Sequence, residues 1–252
     1  MSGERLRGGD RLHMALRLLC LQATWNYERQ QGIGWAWAIA PALKRLVPDP
    51  AARNARLAEH TAYFNTQPTM ASFALGAVVA LEERRAAGEA IDAAAVVRVK
   101  HALGASLAAL GDRLFWFTLR PFAAMLGVLL ALCGVPWAAV ALWMCYNLFH
   151  LPLRLTGVED GYRLGPAVLD QALRRRLEQL THGLAVLGTG LMGAVVAVLL
   201  VPHGEPQSLA YQATLGAGLG LGYLTAQRAR PSPTEWSLGL GALCLLTAWL
   251  RG

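Results

Sequence analysis

Apolar residues form long uninterrupted runs in the C-terminal half of the chain, whereas apolar and polar positions mix at helical spacing before residue 112. A helix needs about 20 apolar residues to cross the hydrocarbon core of a bilayer. Runs of suitable length predict a helical hairpin over 114–153, broken at residues 134–136, and single helices over 183–201, 209–226 and 236–250. The pattern therefore predicts an all-α, polytopic membrane protein with about four to five transmembrane helices.

Shorter helical segments fill the N-terminal part. Residues 12–22 and 32–47 are too short or too charged to span a bilayer, and their pattern favours amphipathic helices at the membrane interface. Apolar runs over 68–81 and 101–110 have lengths typical of half-membrane, re-entrant elements, and such pairs often frame a transporter's binding site. The predicted organisation is interfacial helices over 1–67, half-membrane elements with a linker over 68–113, and transmembrane helices over 114–252.

Composition and charge support the membrane interpretation. Hydrophobic residues make up 55% of the 252 positions and charged residues 15%, against roughly a quarter charged in soluble domains. The net charge of +7 comes mainly from arginine, which marks cytoplasmic loops beside anionic lipid. Arginines cluster in 154–182 and at Arg228 and Arg230, so we expect both connections to be cytoplasmic loops. Membrane lipid is the expected partner of this charge, and nucleic acid is not.

Motifs of catalysis or cofactor binding are missing from the sequence. No CxxC pair, HExxH pattern, phosphate-binding glycine loop or serine elbow occurs. His182 precedes the 183–201 run, and a lone histidine at a membrane boundary is more often structural than a phosphoryl acceptor. We therefore expect no metal, no cofactor and no catalytic residue on this chain.

Asn65 and Gln67 stand just before the 68–81 run. Each amide side chain offers both an acceptor and donors, the groups that suit sugar hydroxyls, and Pro68 leaves backbone groups free nearby. Neutral hydrogen-bonding groups at membrane depth point to a polar ligand. The alternative is that both side chains only cap the following helix.

Asp112 lies between the 101–110 run and an apolar helix. The usual fate of such a carboxylate is to pair with a cation, here Arg113 or Arg120. It could instead accept from a substrate hydroxyl or mediate a protonation that gates transport.

Residues 25–29 combine aromatic, amide and charged groups within about one helical turn. A membrane-interface belt explains the aromatic rings without any specific function. Because adjacent residues on a helix point in different directions, the charges of Glu28 and Arg29 need not pair with each other. Contact with a partner subunit is therefore our preferred interpretation for Trp25, Asn26, Glu28 and Arg29.

Taken in order, these peptides resemble the IID component of the mannose, fructose and sorbose phosphotransferase family, nearly from end to end. The pieces that carry the resemblance are Trp25-Asn26-Tyr27-Glu28-Arg29, Phe64-Asn65-Thr66-Gln67-Pro68, Ala80-Leu81-Glu82-Glu83, Gly111-Asp112, Phe115-Trp116, Leu119-Arg120-Pro121 and Leu180-Thr181-His182-Gly183. Their order and spacing are more specific than any single piece.

The resemblance implies a subunit of a bacterial inner-membrane sugar permease. It would join a IIC subunit to form the translocation unit, within a higher-order IIC and IID oligomer, while soluble IIA and IIB domains pass the phosphoryl group to a hexose-type sugar. This chain would carry no phosphohistidine, and Asn65 and Gln67 are the positions that match a IID contribution to sugar binding.

The sequence departs from the family pattern at several points. Family members usually have proline where this chain has Arg113, a glycine- and proline-containing run where it has 104–108, and often glutamate at the position of His182. These departures motivate an alternative function, a regulatory or scaffolding subunit of a phosphotransferase system without sugar uptake.

Overall fold

The computed structural model describes residues 6–200. Within this range the regular elements are helices, which occupy Gly8–Arg17 (α1), Gly32–Leu46 (α2), Pro50–His60 (α3), Ala71–Ala86 (α4), Ala93–Gly111 (α5), Arg120–Leu132 (α6), Ala138–Leu164 (α7) and Gln171–Leu200 (α8). Short 3₁₀ turns cover Leu18–Cys20 and Gly165–Leu169, and a π-helical segment covers Asp112–Leu119. The predicted all-α class is confirmed for this part of the chain.

Local sequence signals account for several helix ends. The Asp49 carboxylate accepts from the backbone N–H of Ala52 at 2.7 Å, and Pro50 occupies the first position of α3. Asp92 caps α5 in the same way, through the N–H of Ala95 at 2.6 Å. Between α6 and α7 the chain turns at Gly134, whose φ of +77° suits glycine. The hairpin break predicted at residues 134–136 is therefore confirmed.

One compact unit contains residues 6–120 and 143–181 of the described range. The largest apolar side chains fully buried within it are Trp35, Phe64, Phe73 and Phe115. Helix α2, expected from the amphipathic pattern of residues 32–47, buries nine of its 15 residues in this core. Its remaining edge is exposed, which is the two-faced arrangement that the pattern predicts.

Helices α4 and α7 cross with their backbones in contact. A Cβ atom added to Gly76 would lie 2.1 Å from the carbonyl oxygen of Val158, and one added to Gly161 would lie 2.1 Å from that of Phe73. Small residues at four-residue spacing allow this close approach, as they do in membrane helix pairs. They are Ser72 and Gly76 on α4 and Gly157 and Gly161 on α7. The crossing brings the C-terminal half of α7 against the helix that follows Asn65 and Gln67.

The second unit contains residues 121–142 and 182–200 of the described range. Gly127 of α6 faces the side chain of Leu142, and Gly188 of α8 faces Phe122. Glycines therefore permit close helix contacts here as well.

Two helices in the described range are long and apolar enough to cross a membrane, Ala93–Leu132 and Ala172–Leu199, with mean hydropathies of 1.7 and 1.9. The second contains most of the predicted 183–201 span. The second arm of the predicted hairpin is α7, which is not one of these two, since Asn147, His150 and Arg154 make it more polar. The predicted spans 209–226 and 236–250 lie outside the described residues.

Two sequence-based expectations were wrong. The 101–110 run was expected to form a separate half-membrane element, but the chain stays helical from Ala93 to Leu132. No proline interrupts the backbone at 111–113, so the hydrogen-bonded chain passes through as a π-helical segment. Residues 154–182 were expected to form a loop but are helical apart from the turn around Gly165–Leu169. Their arginines and leucines are good helix formers, and arginine placement predicts only the side of the membrane.

Candidate functional site

Residues 25–29 do not form the helical turn assumed from the sequence but a tight loop. The Gln30 N–H donates to the Asn26 carbonyl at 2.9 Å, and the Asn26 side-chain oxygen accepts from the Arg29 N–H at 2.8 Å. Gln30 adopts a φ of +52° to close the loop. Asn26 therefore has a structural role within the loop.

The loop presents several of its side chains to solvent. Trp25 and Tyr27 are exposed and pack edge to face, with ring centroids 4.9 Å apart. The Glu28 carboxylate lies 3.7 Å from Nε of Arg29, so these neighbours do form an ion pair. The sequence analysis, which assumed a helix, had left this pairing open. Exposed aromatic and charged groups leave this loop available to a partner.

The loop is hydrogen-bonded to the segment Phe64–Pro68, which we call the binding segment after the role predicted for Asn65 and Gln67. The Phe64 N–H donates to the Arg29 carbonyl at 3.3 Å, and the Gln31 N–H donates to the Phe64 carbonyl at 2.8 Å. The buried Gln31 side chain then makes two bonds to Thr66, accepting from its N–H at 3.0 Å and donating to its carbonyl at 2.7 Å. The two motifs that the sequence showed 35 residues apart thus form one structural unit.

Helix α5 forms the floor beneath the binding segment. The Thr66 hydroxyl donates to the Gly104 carbonyl at 2.9 Å. A Cβ atom at Gly104 would lie 2.9 Å from the Phe64 ring, and one at Gly111 would lie 2.6 Å from the Gln67 side chain. Only small residues on this face of α5 admit the segment so closely.

Gln67 is buried, and its side-chain oxygen has a structural role. It accepts from the N–H groups of Thr69 at 2.7 Å and Met70 at 3.0 Å, just before α4 begins. The capping alternative raised from the sequence therefore holds for this oxygen. The Gln67 amide nitrogen donates to no protein acceptor within residues 6–200.

Asn65 differs from Gln67 because its side chain is exposed and forms no hydrogen bond in the described part of the chain. It lines a cleft of about 370 Å³. The cleft is lined by Tyr63, Phe64, Asn65, His101, Gly104, Ala105 and Ala108. His101 is held at its rim by a 3.1 Å contact between Nε2 and the Tyr63 carbonyl oxygen. Asn65 is the free amide of the binding segment.

Lys100 is a buried cation that the sequence analysis missed. It is 1% exposed, and its ammonium donates to the carbonyls of His60 and Ala62 at 3.0 and 3.2 Å. The same ammonium lies 5.2 Å from the Trp35 ring centroid and 5.4 Å from that of Phe64. Two carbonyl acceptors and two aromatic rings therefore hold the Lys100 amine beneath the start of the binding segment.

A charged cluster lies at the far end of the same core. Glu82 is fully buried, with Arg56 at 3.0 Å, Arg85 at 3.3 Å and Nε2 of His60 at 3.5 Å. Burial opposes ionisation, but the hydrogen bond with His60 and the charges of Arg85 and Arg56 hold the pKa of Glu82 below its ordinary value.

The other imidazole nitrogen of His60, Nδ1, accepts from the indole N–H of Trp35 at 3.4 Å. Trp35 in turn packs against Phe64, with ring centroids 4.2 Å apart. A continuous path of side chains therefore links the Glu82 cluster to the binding segment.

Asp112 begins the π-helical segment and is half-buried. Its carboxylate interacts with Trp116, and it forms no ion pair with Arg113 or Arg120 within residues 6–200. Arg120 instead stacks over the Trp116 ring, 5.4 Å from its centroid. The expected structural pairing of Asp112 with either arginine is therefore wrong. His182, in α8, is exposed.

Comparison with known proteins decides the family. The sequence profile of the phosphotransferase mannose/fructose/sorbose family IID component matches residues 5–203. The chain belongs to this family. The mannose-specific IID component of Escherichia coli is 37% identical over 77% of this chain and 69% of that protein. The sorbose-specific IID component of Klebsiella pneumoniae is 36% identical over 78% and 72%, and the fructose permease IID component of Bacillus subtilis is 34% identical over 77% and 70%.

Solved structures agree with this assignment. One chain of the cryo-EM structure of the mannose transporter ManYZ in complex with a microcin matches with a TM-score of 0.62 and 30% identity, covering 99% of this chain and 98% of that one. A second structure, described as a membrane protein, matches with a TM-score of 0.71 and 28% identity over the same shares. This IID chain is therefore a membrane-bound subunit of a mannose-family phosphotransferase system, as the motif resemblance predicted.

Sequence reasoning singled out the segment Phe64–Pro68 but missed Gln31, which holds it, and the buried Lys100 and Glu82 in the same unit. The sequence around Gln31 does not indicate its hydrogen-bond partner, Thr66, which lies 35 residues away. The signal for Lys100 was available, since a lone lysine interrupts the apolar spacing of α5. An ionisable residue among apolar neighbours in a membrane protein is a candidate functional residue.

Proposed function

We propose that this IID chain joins a IIC subunit in the bacterial inner membrane to form the path of a hexose-type sugar. Its family relatives are sugar-specific components, and the matched structure is described as a mannose transporter. Four to five membrane crossings and a higher-order IIC and IID oligomer complete this arrangement. The phosphoryl group is supplied by IIA and IIB, and this chain contributes binding groups and docking surface.

We propose that the binding segment contacts the sugar through Asn65 and Gln67. The observation that carries this proposal is the bracing of the segment from both sides, by Gln31 above and by Gly104 of α5 below. A braced backbone holds an exposed amide in one geometry, which lowers the entropy that binding must overcome. The Asn65 amide then donates to and accepts from sugar hydroxyls, and the Gln67 amide nitrogen donates to one.

The cleft beside Asn65 supports the same assignment. Its volume of about 370 Å³ falls within the range of roughly 300–1,000 Å³ that is usual for small-molecule sites. Tyr63 and Phe64 supply aromatic walls, and the glycine and alanines of α5 leave room for a ligand. IIC would close the open side of this cleft.

The loop at residues 25–29 is the proposed contact with a partner subunit. Trp25, Glu28 and Arg29 are exposed on it, whereas Asn26 holds its shape. Because the loop is hydrogen-bonded to the binding segment, a partner seated on it would also fix the sugar-binding amides. Asp112, which has no cation partner in the described range, is the proposed substrate or gating carboxylate.

The test is hexose binding by the purified complex of IIC with this chain. Asn65→Ala should leave assembly intact and weaken mannose binding by about tenfold, the loss expected for one or two hydrogen bonds. Asn54→Ala is the matched control, because Asn54 is also an exposed asparagine but lies on α3. Equal mannose affinity in the two variants would contradict the sugar-binding assignment. Failure of any IIC subunit to co-purify would contradict the assembly.

A further inference from the structure

A second cleft, remote in sequence from the binding segment, lies between α1 and α2. The two helices run antiparallel, because Asp10 at the start of α1 pairs with Arg45 at the end of α2 at 3.2 Å, and Arg17 at the end of α1 bonds the Trp37 carbonyl at 2.8 Å. The cleft has a volume of about 540 Å³. Its lining residues are Asp10, His13, Arg17, Ala40, Pro41, Lys44 and Arg45.

The lining carries a surplus of positive charge. Arg45 balances the Asp10 carboxylate, which leaves Arg17 and Lys44 without a carboxylate partner among the residues that the structure describes. Lys44 is exposed, and the Arg17 guanidinium bonds the His13 ring at 3.3 Å. Two cations and an imidazole therefore converge on a cleft open to an anion.

Exposed apolar side chains lie on the same two helices. Leu12, Leu16 and Leu19 of the N-terminal helical stretch are 52%, 48% and 48% exposed. Their spacing of four and three residues places them on one face. On α2, Ile33 and Trp37 are 37% and 45% exposed. Uncovered leucines of this number are costly in water and indicate contact with an apolar phase.

The order of side chains along α2 is that of a membrane interface. At 100° per residue, Ile33, Trp37 and Lys44 fall within an arc of about 40° on one face. The sequence along this face is aliphatic, then indole, then ammonium. The Arg17 guanidinium stacks over the Trp37 ring, 4.6 Å from its centroid, which places a second cation beside the indole. Tryptophan favours the headgroup region, and Lys and Arg reach from there to lipid phosphates.

We propose that the α1–α2 cleft binds the phosphate of an anionic membrane phospholipid, with Arg17 and Lys44 as its cationic ligands and His13 as a further polar contact. The lipid's acyl chains would run along Ile33 and Trp37 on the Lys44 face of α2, and the leucines, about 130° around α1 from the cleft residues, would contact neighbouring lipid. An acidic segment of a partner protein would satisfy the cations but would leave the apolar rows uncovered. This favours lipid, and the inference does not depend on the sugar-binding assignment.

The test is lipid retention by the full chain purified in detergent, measured by native mass spectrometry and by titration with phosphatidylglycerol or phosphatidylcholine. Wild type should prefer phosphatidylglycerol, and Lys44→Gln should weaken its binding by about fivefold, the effect of one cation near a lipid surface. Arg17→Gln should act in the same direction. Arg98→Gln is the control, since Arg98 is an exposed cation on α5 and does not line the cleft.

Three outcomes would overturn the proposal. The first is equal retention of phosphatidylglycerol by Lys44→Gln and Arg98→Gln. The second is equal affinity of wild type for the two lipids. The third is displacement of phosphatidylglycerol by inorganic phosphate or by an acidic peptide at matching concentration, which would assign the cleft to a soluble anion or to a protein partner. Lys44→Gln keeps the test valid if Arg17→Gln disturbs the stacking on Trp37, because Lys44 is exposed.

Discussion

Replacing Gln31 by methionine removes the two hydrogen bonds that brace the binding segment while keeping a side chain of similar volume. Gln31 is 1% exposed and Thr66 is 4% exposed, so water does not readily replace the lost bonds. The Thr66 N–H and carbonyl are then buried without the partners that hold them at 3.0 and 2.7 Å. A buried polar group left unsatisfied costs about 1–3 kcal/mol, so the variant should lose about 2–6 kcal/mol of stability.

Thermal unfolding of the detergent-purified chain, followed by intrinsic tryptophan fluorescence, measures this loss. For a domain of this size, one kcal/mol shifts the midpoint by about 2–4 °C, so Gln31→Met should unfold at least about 4 °C below wild type. Gln22→Met is the control, because Gln22 is exposed and its side chain forms no hydrogen bond in the described range.

Mannose binding by the IIC complex of the same variant tests the functional part of the reasoning. If the bracing positions the Asn65 amide, Gln31→Met should weaken binding even at temperatures where the complex remains folded. An unfolding midpoint equal to that of Gln22→Met would refute the energetic argument. Unchanged mannose affinity in a destabilised complex would refute the link between bracing and binding.

Three further predictions concern the core and the helix crossing. Glu82→Gln should cost about 1–3 kcal/mol at pH 7, since the half-buried Arg56 loses its carboxylate partner while Arg85 keeps Glu59. Because the pKa of Glu82 is lowered on folding, its contribution is present above pH 4.5 and lost as pH falls through the folded pKa, so the melting temperatures of wild type and variant should converge in acid. Parallel curves would count against this. Gly161→Ala should lower the melting temperature because its Cβ would lie 2.1 Å from the Phe73 carbonyl oxygen. Its control is Gly190→Ala, which has nothing within 4 Å of the added Cβ and should be neutral or stabilising. A lower melting temperature for Gly190→Ala than for Gly161→Ala would disprove the crossing. Lys100→Met should lower the midpoint by several degrees in the same melts, because the buried His60 carbonyl and the partly buried Ala62 carbonyl lose their donor. An unchanged midpoint would show that the ammonium is not stabilising.

Local pattern predicted much of the fold because it depends on local physics. Helix α2 was expected over residues 32–47 and found at Gly32–Leu46, and the break at 134–136 followed from glycine and proline. What local pattern could not predict was pairing across long sequence distances. The bonds from Gln31 to Thr66 and from Thr66 to Gly104 join segments 35 and 38 residues apart.

The errors share a physical origin. Asp112 was expected to pair with a nearby arginine, but the π-helical backbone places its carboxylate by Trp116. Residues 25–29 were assigned to a helix because their composition permits one, yet hydrogen bonds to Asn26 and to the binding segment close them into a loop. In both cases tertiary context overrode a local preference. For Gln67, the capping alternative and the binding hypothesis turned out to concern different atoms of one side chain.

The most direct test of the central claim is sugar uptake in cells that supply the IIA, IIB and IIC components of a mannose-family system but lack its IID component. Expression of this chain should restore uptake of labelled hexose with its phosphorylation, Asn54→Ala should match wild type, and Asn65→Ala should reduce uptake while the IIC complex still forms. Restored uptake that is the same for Asn65→Ala and Asn54→Ala would contradict the role of the binding segment. No uptake with any sugar, despite a stable complex with IIC, would contradict the transport function itself.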